Sequence, residues 1–261
     1  MSNQSEQDPT LLEEKFSFLK PGGDYHPPDC TAQQRTAIII PYRDRWIHLH
    51  ILLYNLIPFL VRQQASFTIF VIELAMPTTF NRALLLNVGV LESLKRDNYT
   101  CFIFHDVDLV PLDDHNLYRC GSGPRHLAVG IDKFKYRLPY GGYFGGASAL
   151  SRDQVFRING NSNLYFGWGG EDDDSFYRVN SAKMKVSRYP VQIARYRMIR
   201  HERDKGNAAN PMRAGLLETA ARRMAEDGLS TVTHLYTTEN VWVKPLYTWV
   251  TVTVNKTHVM Q

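Results

Sequence analysis

Between Thr36 and Asp108 the chain alternates short, apolar, β-branched runs with longer stretches of helical periodicity, and this alternation restricts the fold more than any other feature. The run Ala37 to Ile40 stops at Pro41, and from Asp44 apolar residues recur at helical spacing through Trp46, Leu49, Leu52, Leu53, Leu56 and Phe59. The pattern repeats with a strand-like run from Phe67 to Leu74, a helix from Phe80 to about Leu94, and a third apolar run, Cys101 to Phe104, that leads into Asp106-Val107-Asp108. Strands separated by helices of this length pair in parallel through right-handed crossovers, so this half is expected to be Rossmann-like. Ligands of such open sheets gather beyond the carboxyl ends of the strands, where Pro41-Tyr42-Arg43 and Asp106-Val107-Asp108 both fall.

The remainder is less regular. A strand is expected over Phe144 to Leu150, a helix from Asp173 to Met184, a helix from Met212 to Glu226, and β alternation from Thr231 to Val254. Gly-rich or polar loops intervene at Gly141 to Gly146, Gly167 to Gly170 and His201 to Asn210. Residues 1–35, polar and rich in Pro and Gly, read as a stem-like tether, residues 36–254 as one α/β domain with a mixed central sheet and mobile loops, and residues 255–261 as a tail. No internal repeat interrupts this division.

Charge narrows the partners. The net charge is +4 over 261 residues, and Lys and Arg are dispersed without the basic stripe that a nucleic acid requires. A local anionic ligand is expected and no nucleic acid. The longest apolar stretches are broken well before the roughly 18–20 residues that span a bilayer, and Met1 to Thr10 has no signal-peptide pattern, so no membrane contact is expected from this chain. Cys101 and Cys120 flank the acidic segment and read either as a bridge or as two buried thiols, with Cys30 alone. Asn98-Tyr99-Thr100 and Asn255-Lys256-Thr257 are sequons that matter only in a secretory compartment.

Two carboxylates one residue apart at a strand end project the same way and can present oxygens to a hard divalent cation; the other reading is a solvated turn. His201 is a candidate third ligand or a structural histidine, while the thioether of Met198 is soft for such an ion and reads as core packing on its chemistry alone. Arg43, Arg45 and Arg82 follow expected strands, where guanidinium forks suit phosphate, and Phe80 or Tyr42 can stack on a base. In Gly167-Trp168-Gly169-Gly170-Glu171-Asp172-Asp173-Asp174 the acids suit a helix amino terminus, but a tryptophan between glycines suits a sugar platform on a hinge. One of these acids is then placed to act as a general base.

These segments together resemble the catalytic domain of the animal β-1,4-galactosyltransferases. The resemblance runs from about Gly22 to Val254 through G-G-D-Y-H-P-P-D-C, A-I-I-I-P-Y-R-D-R, F-N-R-A-L-L-L-N-V-G, D-V-D-L-V-P, D-K-F, Y-F-G-G-A-S-A-L-S, G-W-G-G-E-D-D-D and R-M-I-R-H-E-R-D-K, in that order. It implies a GT-A fold, a Mn²⁺ cofactor, and inverting transfer of galactose from UDP-galactose to the 4-hydroxyl of a terminal GlcNAc on a glycan. By the same resemblance Asp108, Met198 and His201 are metal ligands. Pro41, Tyr42, Arg43, Arg45, Phe80, Arg82, Asp106, Val107, Lys133, Tyr143, Gly146, Trp168 and Glu171 fall to the donor. Asp172 is the base, and Tyr140, Gly169, Gly170, Asp173 and Arg213 join it around the acceptor.

The resemblance further implies a Cys101–Cys120 disulfide, a Golgi-lumen location, and a long loop, Arg200 to Thr219, that folds over bound donor. Tyr143 implies galactose as donor, since a bulky aromatic crowds an N-acetyl group, and Gly170 with Asp173-Asp174 implies the GlcNAc-accepting branch. Two positions depart from the family: Ala214 stands where an aromatic often helps form the N-acetyl pocket, and the usual partner of Cys30 is missing. The alternatives are a GalNAc transferase of the same family, a metal-dependent nucleotide-sugar hydrolase, and an inactive sugar-binding module. Any regulatory protein partner is left unidentified.

Overall fold

The computed structural model describes residue 5, residues 7–201 and residues 207–255. Helix α1 (Pro9–Lys15) leads to β1 (Arg35–Tyr42), α2 (Trp46–Arg62), β2 (Ser66–Leu74), α3 (Arg82–Leu94) and β3 (Cys101–His105). β1 pairs in parallel with both β2 and β3. This is the order that the alternating periodicity implies. Both faces of these strands are covered, which is why nearly every residue of β1 and β2 is buried and their sequences read as continuous apolar runs.

Short strands follow: β4 (Leu109–Pro111), β5 (Arg125–His126), β6 (Gly130–Ile131) and β7 (Ala147–Ser151), then α4 (Arg152–Arg157), α5 (Glu171–Ser181), β8 (Ser187–Arg188) and β9 (Arg195–Met198). Three brief helices, α6 (Arg213–Glu218), α7 (Ala220–Arg223) and α8 (Leu229–Val232), precede the hairpin of β10 (Tyr236–Val243) and β11 (Thr248–Val254). The main sheet has the order β10-β11-β2-β1-β3-β7-β5-β8, mixed because β3 and β7 run antiparallel, and β4, β9 and β6 form a second small sheet. One apolar core lies on the α1 and α2 face, and another on the α3 and α5 face.

Several boundaries differ from expectation, each for a local reason. β1 continues through Pro41 to Tyr42. Asp44 does not open α2: it takes a left-handed conformation with φ 46°, and the helix begins at Trp46. α3 starts at Arg82, because the Asn81 side chain accepts from the Leu84 N–H and caps it. β7 begins only at Ala147, after Gly146 turns the chain with φ 82°. α5 begins at Glu171, two residues early, so all four acids lie in its first turn, where the helix dipole favours them.

The helix expected over Met212 to Glu226 is broken into α6 and α7. The Thr219 hydroxyl bonds the carbonyls of Gly215 and Leu216, and the Arg223 guanidinium donates to the same Leu216 carbonyl, diverting acceptors that a continuous helix needs. The expected tether also differs, for Leu12, Phe16 and Leu19 recur at helical spacing and are buried against the core. Tyr25 then bridges to Phe67 at the start of β2. The tail residues 256–261, and residues 202–206 of the expected mobile loop, lie outside the described residues. Among the described residues no helix is long and apolar enough to cross a membrane.

Candidate active site

A cleft of about 700 Å³ opens at the carboxyl ends of β1 and β3, lined among others by Pro41, Arg43, Arg45, Phe80, Arg82 and Asp106 to Asp108. Arg43 is buried; its Nε donates to the Leu74 carbonyl at 3.1 Å and its guanidinium lies 5.4 Å from the Phe80 ring centre. Arg82, the first residue of α3, donates to Asp106 at 2.5 Å, so the crossover helix and the β3 end are tied by one ion pair. Burial pushes Asp106 up to about 6 against the pull of Arg82.

β4 and β9 bring distant residues together. Leu109 pairs with Met198, Ile199 N–H donates to the Asp108 carbonyl at 2.7 Å, and His201 Nε2 lies 3.1 Å from Asp108 Oδ2. Asp108, Met198 and His201 therefore share one wall of the cleft. A carboxylate and an imidazole suit Mn²⁺ or a similar ion, and the thioether is a weaker, softer donor. No cluster of three His, Cys, Asp or Glu that could hold a metal exists among the described residues, so a cation here needs Met198 and substrate oxygens to complete its shell. The donor set fits a cation that is bound together with a phosphate ligand.

Sequence reasoning missed two neighbours. Asp132 accepts from the N–H groups of Met198 at 2.9 Å and Lys133 at 2.8 Å, fixing β9 and Lys133 on the cleft wall. Its signal was present in the D-K-F block. His48, in the first turn of α2, sets its ring edge-on to His201 with centres 5.3 Å apart, and its buried Nε2 has no partner among the described residues. Burial, then Arg45, lower its pKa. A lone histidine on a helix gives no sequence signal for this.

The acidic segment faces the same cleft from the other half. Gly167, Gly169 and Gly170 have φ of 94°, 103° and 94°, which only glycine adopts readily, and they turn the exposed Trp168 towards the cleft mouth, where it lines the wall. Trp168 N–H donates to the Ala208 carbonyl at 2.8 Å and its carbonyl accepts from the Asn210 N–H at 3.0 Å, so backbone bonds join the two loops. Glu171 also lines the cleft. Asp172 packs one oxygen against the Gly145 backbone, where a β-carbon would come within 2.5 Å. Burial, then the charges of Glu171 and Asp173, lift Asp172 from 3.8 to about 7.

The expected acceptor residues form a shelf beside the cleft. Tyr140 donates to Asp173 at 2.7 Å, its ring is 5.7 Å from Tyr143, and Gly169 and Gly170 lie against Arg213. Burial, then the Asp172 charge, hold Tyr143 neutral. Three expected donor residues are not on the cleft wall: Tyr143 packs its ring against His126, Phe134 and Tyr140, and the other two lie deeper. Tyr42 is buried with its ring 4.8 Å from Trp249, because it lies on the core side of β1, and Gly146 sits behind Asp106, its carbonyl accepting the Asp106 N–H at 2.9 Å.

Beneath the shelf is a buried ionic cluster. Arg178 and Asp174 are fully buried and bonded at 2.5 Å, and Arg178 also donates to the Asp227 carbonyl at 2.7 Å. Arg223 joins Asp174 at 3.0 Å and Asp227 at 2.5 Å, tying α5 to α7. At the far end of β3, Cys101 and Cys120 form a disulfide, and Cys30 is free and exposed.

A family described as the N-terminal region of glycosyl transferase group 7 matches residues 1–121, and one described as the N-terminal domain of galactosyltransferase matches residues 125–202. Beta-1,4-galactosyltransferase 2 of Homo sapiens is 52% identical over 236 residues, 90% of this chain and 63% of that protein. The chain thus spans less than two thirds of that relative's length. Beta-1,4-galactosyltransferase 4 of Cricetulus griseus is 51% identical over 248 residues, 94% of this chain and 72% of that one. Among solved structures, a mutant of Drosophila β-1,4-galactosyltransferase 7 in complex with manganese, UDP-Gal and xylobiose superposes with a TM-score of 0.69 at 27% identity, covering 85% of this chain and 94% of that one. The mixed sheet with its ligand edge at β1 and β3 is therefore a GT-A fold, and by sequence and fold alike the chain belongs to the β-1,4-galactosyltransferase family.

Proposed function

We propose that the chain transfers galactose from UDP-galactose to the 4-hydroxyl of a terminal GlcNAc with inversion, using Mn²⁺, in the Golgi lumen. The observation that carries this reading is the meeting of two halves at one cleft: a phosphate-suited wall of Arg43, Arg45, Arg82 and Lys133 beside Asp108, Met198 and His201, and the acidic start of α5, where Glu171 lines the cleft and the half-buried Asp172 follows it. The identity to named galactosyltransferases supports the sugar, and the manganese and UDP-Gal bound by the Drosophila relative support the cofactor and donor.

Asp108, His201 and Met198 would hold the cation, which when bound would offset charge on the departing diphosphate. Arg82 holds Asp106 in place, and Arg43 presents a fixed guanidinium over Phe80, so donor groups meet side chains that are already oriented. Trp168 covers the cleft mouth and, with the 207–210 segment bonded to it, limits water. Asp172 takes the proton of the attacking hydroxyl; its pKa of about 7 leaves it largely ionised just above neutrality and still basic enough to accept. One displacement on the face opposite the leaving group inverts the anomeric carbon.

Tyr143, half-buried and 5.4 Å from the His126 ring, matches the bulky aromatic that crowds an N-acetyl group on the donor in this family, and this match supports galactose over GalNAc. A screen of UDP-galactose and UDP-GalNAc against GlcNAc- and xylose-terminated acceptors, with and without Mn²⁺, tests the reading. The expected product is galactosylated GlcNAc, formed only with Mn²⁺. Free galactose released at the same rate with or without acceptor replaces transfer by hydrolysis.

A further inference from the structure

The turn between α3 and β3 lies at the amino ends of the strands, on the side of the sheet away from the cleft. Asn98 and Thr100 are exposed there, with Tyr99 buried between them, so the sequon Asn98-Tyr99-Thr100 is a surface feature of the fold. Arg152 Nη1 donates to Asn98 Oδ1 at 2.6 Å, the Asn98 backbone N–H donates to Asp97, and its side-chain Nδ2 has no acceptor among the described residues. Arg152 opens α4, and its guanidinium lies 5.8 Å from the ring centre of Phe156, one turn along the same helix face and 49% exposed. Three residues after Asn98, Cys101 enters the disulfide to Cys120, a bond that persists in oxidising compartments such as the secretory lumen.

We propose that Asn98 is an N-glycosylation site and that the first N-acetylhexosamine of its glycan seats against Arg152 and Phe156. In the reaction the Asn98 amide nitrogen bonds C1 of an oligosaccharide carried on a lipid diphosphate. The C1–oxygen bond breaks, the lipid diphosphate leaves with the electron pair, and one amide proton is lost. In the folded chain Thr100 Oγ1 bonds the N–H of Arg35 at 3.1 Å, so the sequon is read before β3 closes against β1. The apolar face of a pyranose then covers the exposed Phe156 ring, while Arg152 donates to the sugar or amide oxygens. The glycan projects from the edge opposite the cleft, which leaves substrate access unchanged.

This inference needs a lumenal compartment but not the proposed reaction. The full chain is secreted from eukaryotic cells behind a cleavable leader, treated with peptide N-glycosidase in heavy-oxygen water, and digested for mass spectrometry. The peptide containing residue 98 is expected to carry the label in most molecules, and Thr100→Ala to abolish it. An unmodified Asn98 in the secreted protein, including the case where only Asn255 is occupied, overturns the site. Stripping leaves an aspartate at position 98 beside Arg152, so the seat is read as a difference: the Tm change on stripping is expected to be about 2–4 °C more unfavourable in the parent than in Phe156→Ala. An equal change in the two overturns the seat on Arg152 and Phe156. Galactose transfer assayed before and after stripping is expected to be equal, and its absence from both forms counts against the reaction alone.

Discussion

Residues 35–111 build most of one wall of the cleft, while residues 125–232 complete it with Lys133, Met198 and His201 and build the facing wall, and the two regions hold their side chains by different physics. In the first, parallel strands buried on both faces fix Arg43, Asp106 and Asp108 at strand ends, and apolar packing does the fixing. In the second, strands are two to five residues long, and α5 is held by the Asp174–Arg178–Asp227–Arg223 cluster and by the Ser175 hydroxyl donating to Asn161. The first wall tolerates no change of shape, and the second no loss of a charge partner.

The sharpest separation comes at Asp172. Asp172→Asn keeps volume and removes the base, so kcat for transfer is expected to fall about 10³-fold while UDP-galactose binding with Mn²⁺, read by calorimetry, stays within about twofold. Turnover within tenfold of the parent removes Asp172 from that role. Arg178→Met breaks the second wall without touching the cleft. It leaves Asp174 and Asp227 sharing Arg223, and the loss of one partner in a buried cluster costs about 3–5 kcal/mol, a fall in Tm of roughly 10 °C by circular dichroism. A fall under about 2 °C means that the cluster does not hold α5.

The same contrast decides what could be read from sequence. The strands and helices of residues 36–108 were legible because burial on both faces leaves long apolar runs and helical spacing repeats four or more times. The acids at Glu171 to Asp174 and the tryptophan among glycines were legible as chemistry. The pairing of β4 with β9 was not, although it brings Asp108 to His201 across 93 residues, because strands of three and four residues carry too few side chains for a pattern. Nor was the seating of residues 9–25, where a two-turn stripe of Leu12, Phe16 and Leu19 sits in a polar stretch. The break at Thr219 rests on a hydroxyl and on Arg223, both of which read as ordinary helix surface.

The first wall is tested by volume. Gly89 on α3 faces β1, and a β-carbon there would come within 2.3 Å of Ile39 Cγ2. Gly89→Ala is expected to cost about 1–3 kcal/mol in urea denaturation, despite the better helix propensity of alanine. Combining it with Ile39→Ala is expected to be less destabilising than the sum of the single changes, since the smaller residue makes room. Strict additivity would show that the α3–β1 contact yields elsewhere.

The smallest effect is a pH dependence, and it joins the two walls. Asp172 is lifted from 3.8 to about 7 by burial first, then by Glu171 and Asp173, so the folded chain binds its proton more tightly than the unfolded chain does. The stability that this gives is present below about pH 4 and is lost as pH rises to 7, after which it changes no further. The active form gains over the same upper range, because the base must be ionised. kcat/KM is therefore expected to climb about tenfold per unit up to an inflection near pH 7, while Tm, compared with Asp172→Asn at each pH, falls away between pH 4 and 7. Both curves report one carboxylate, so an activity inflection near 7 without a widening gap in Tm would assign the inflection to another group. A widening gap with flat activity would leave Asp172 as a strained acid on the second wall, outside the chemistry.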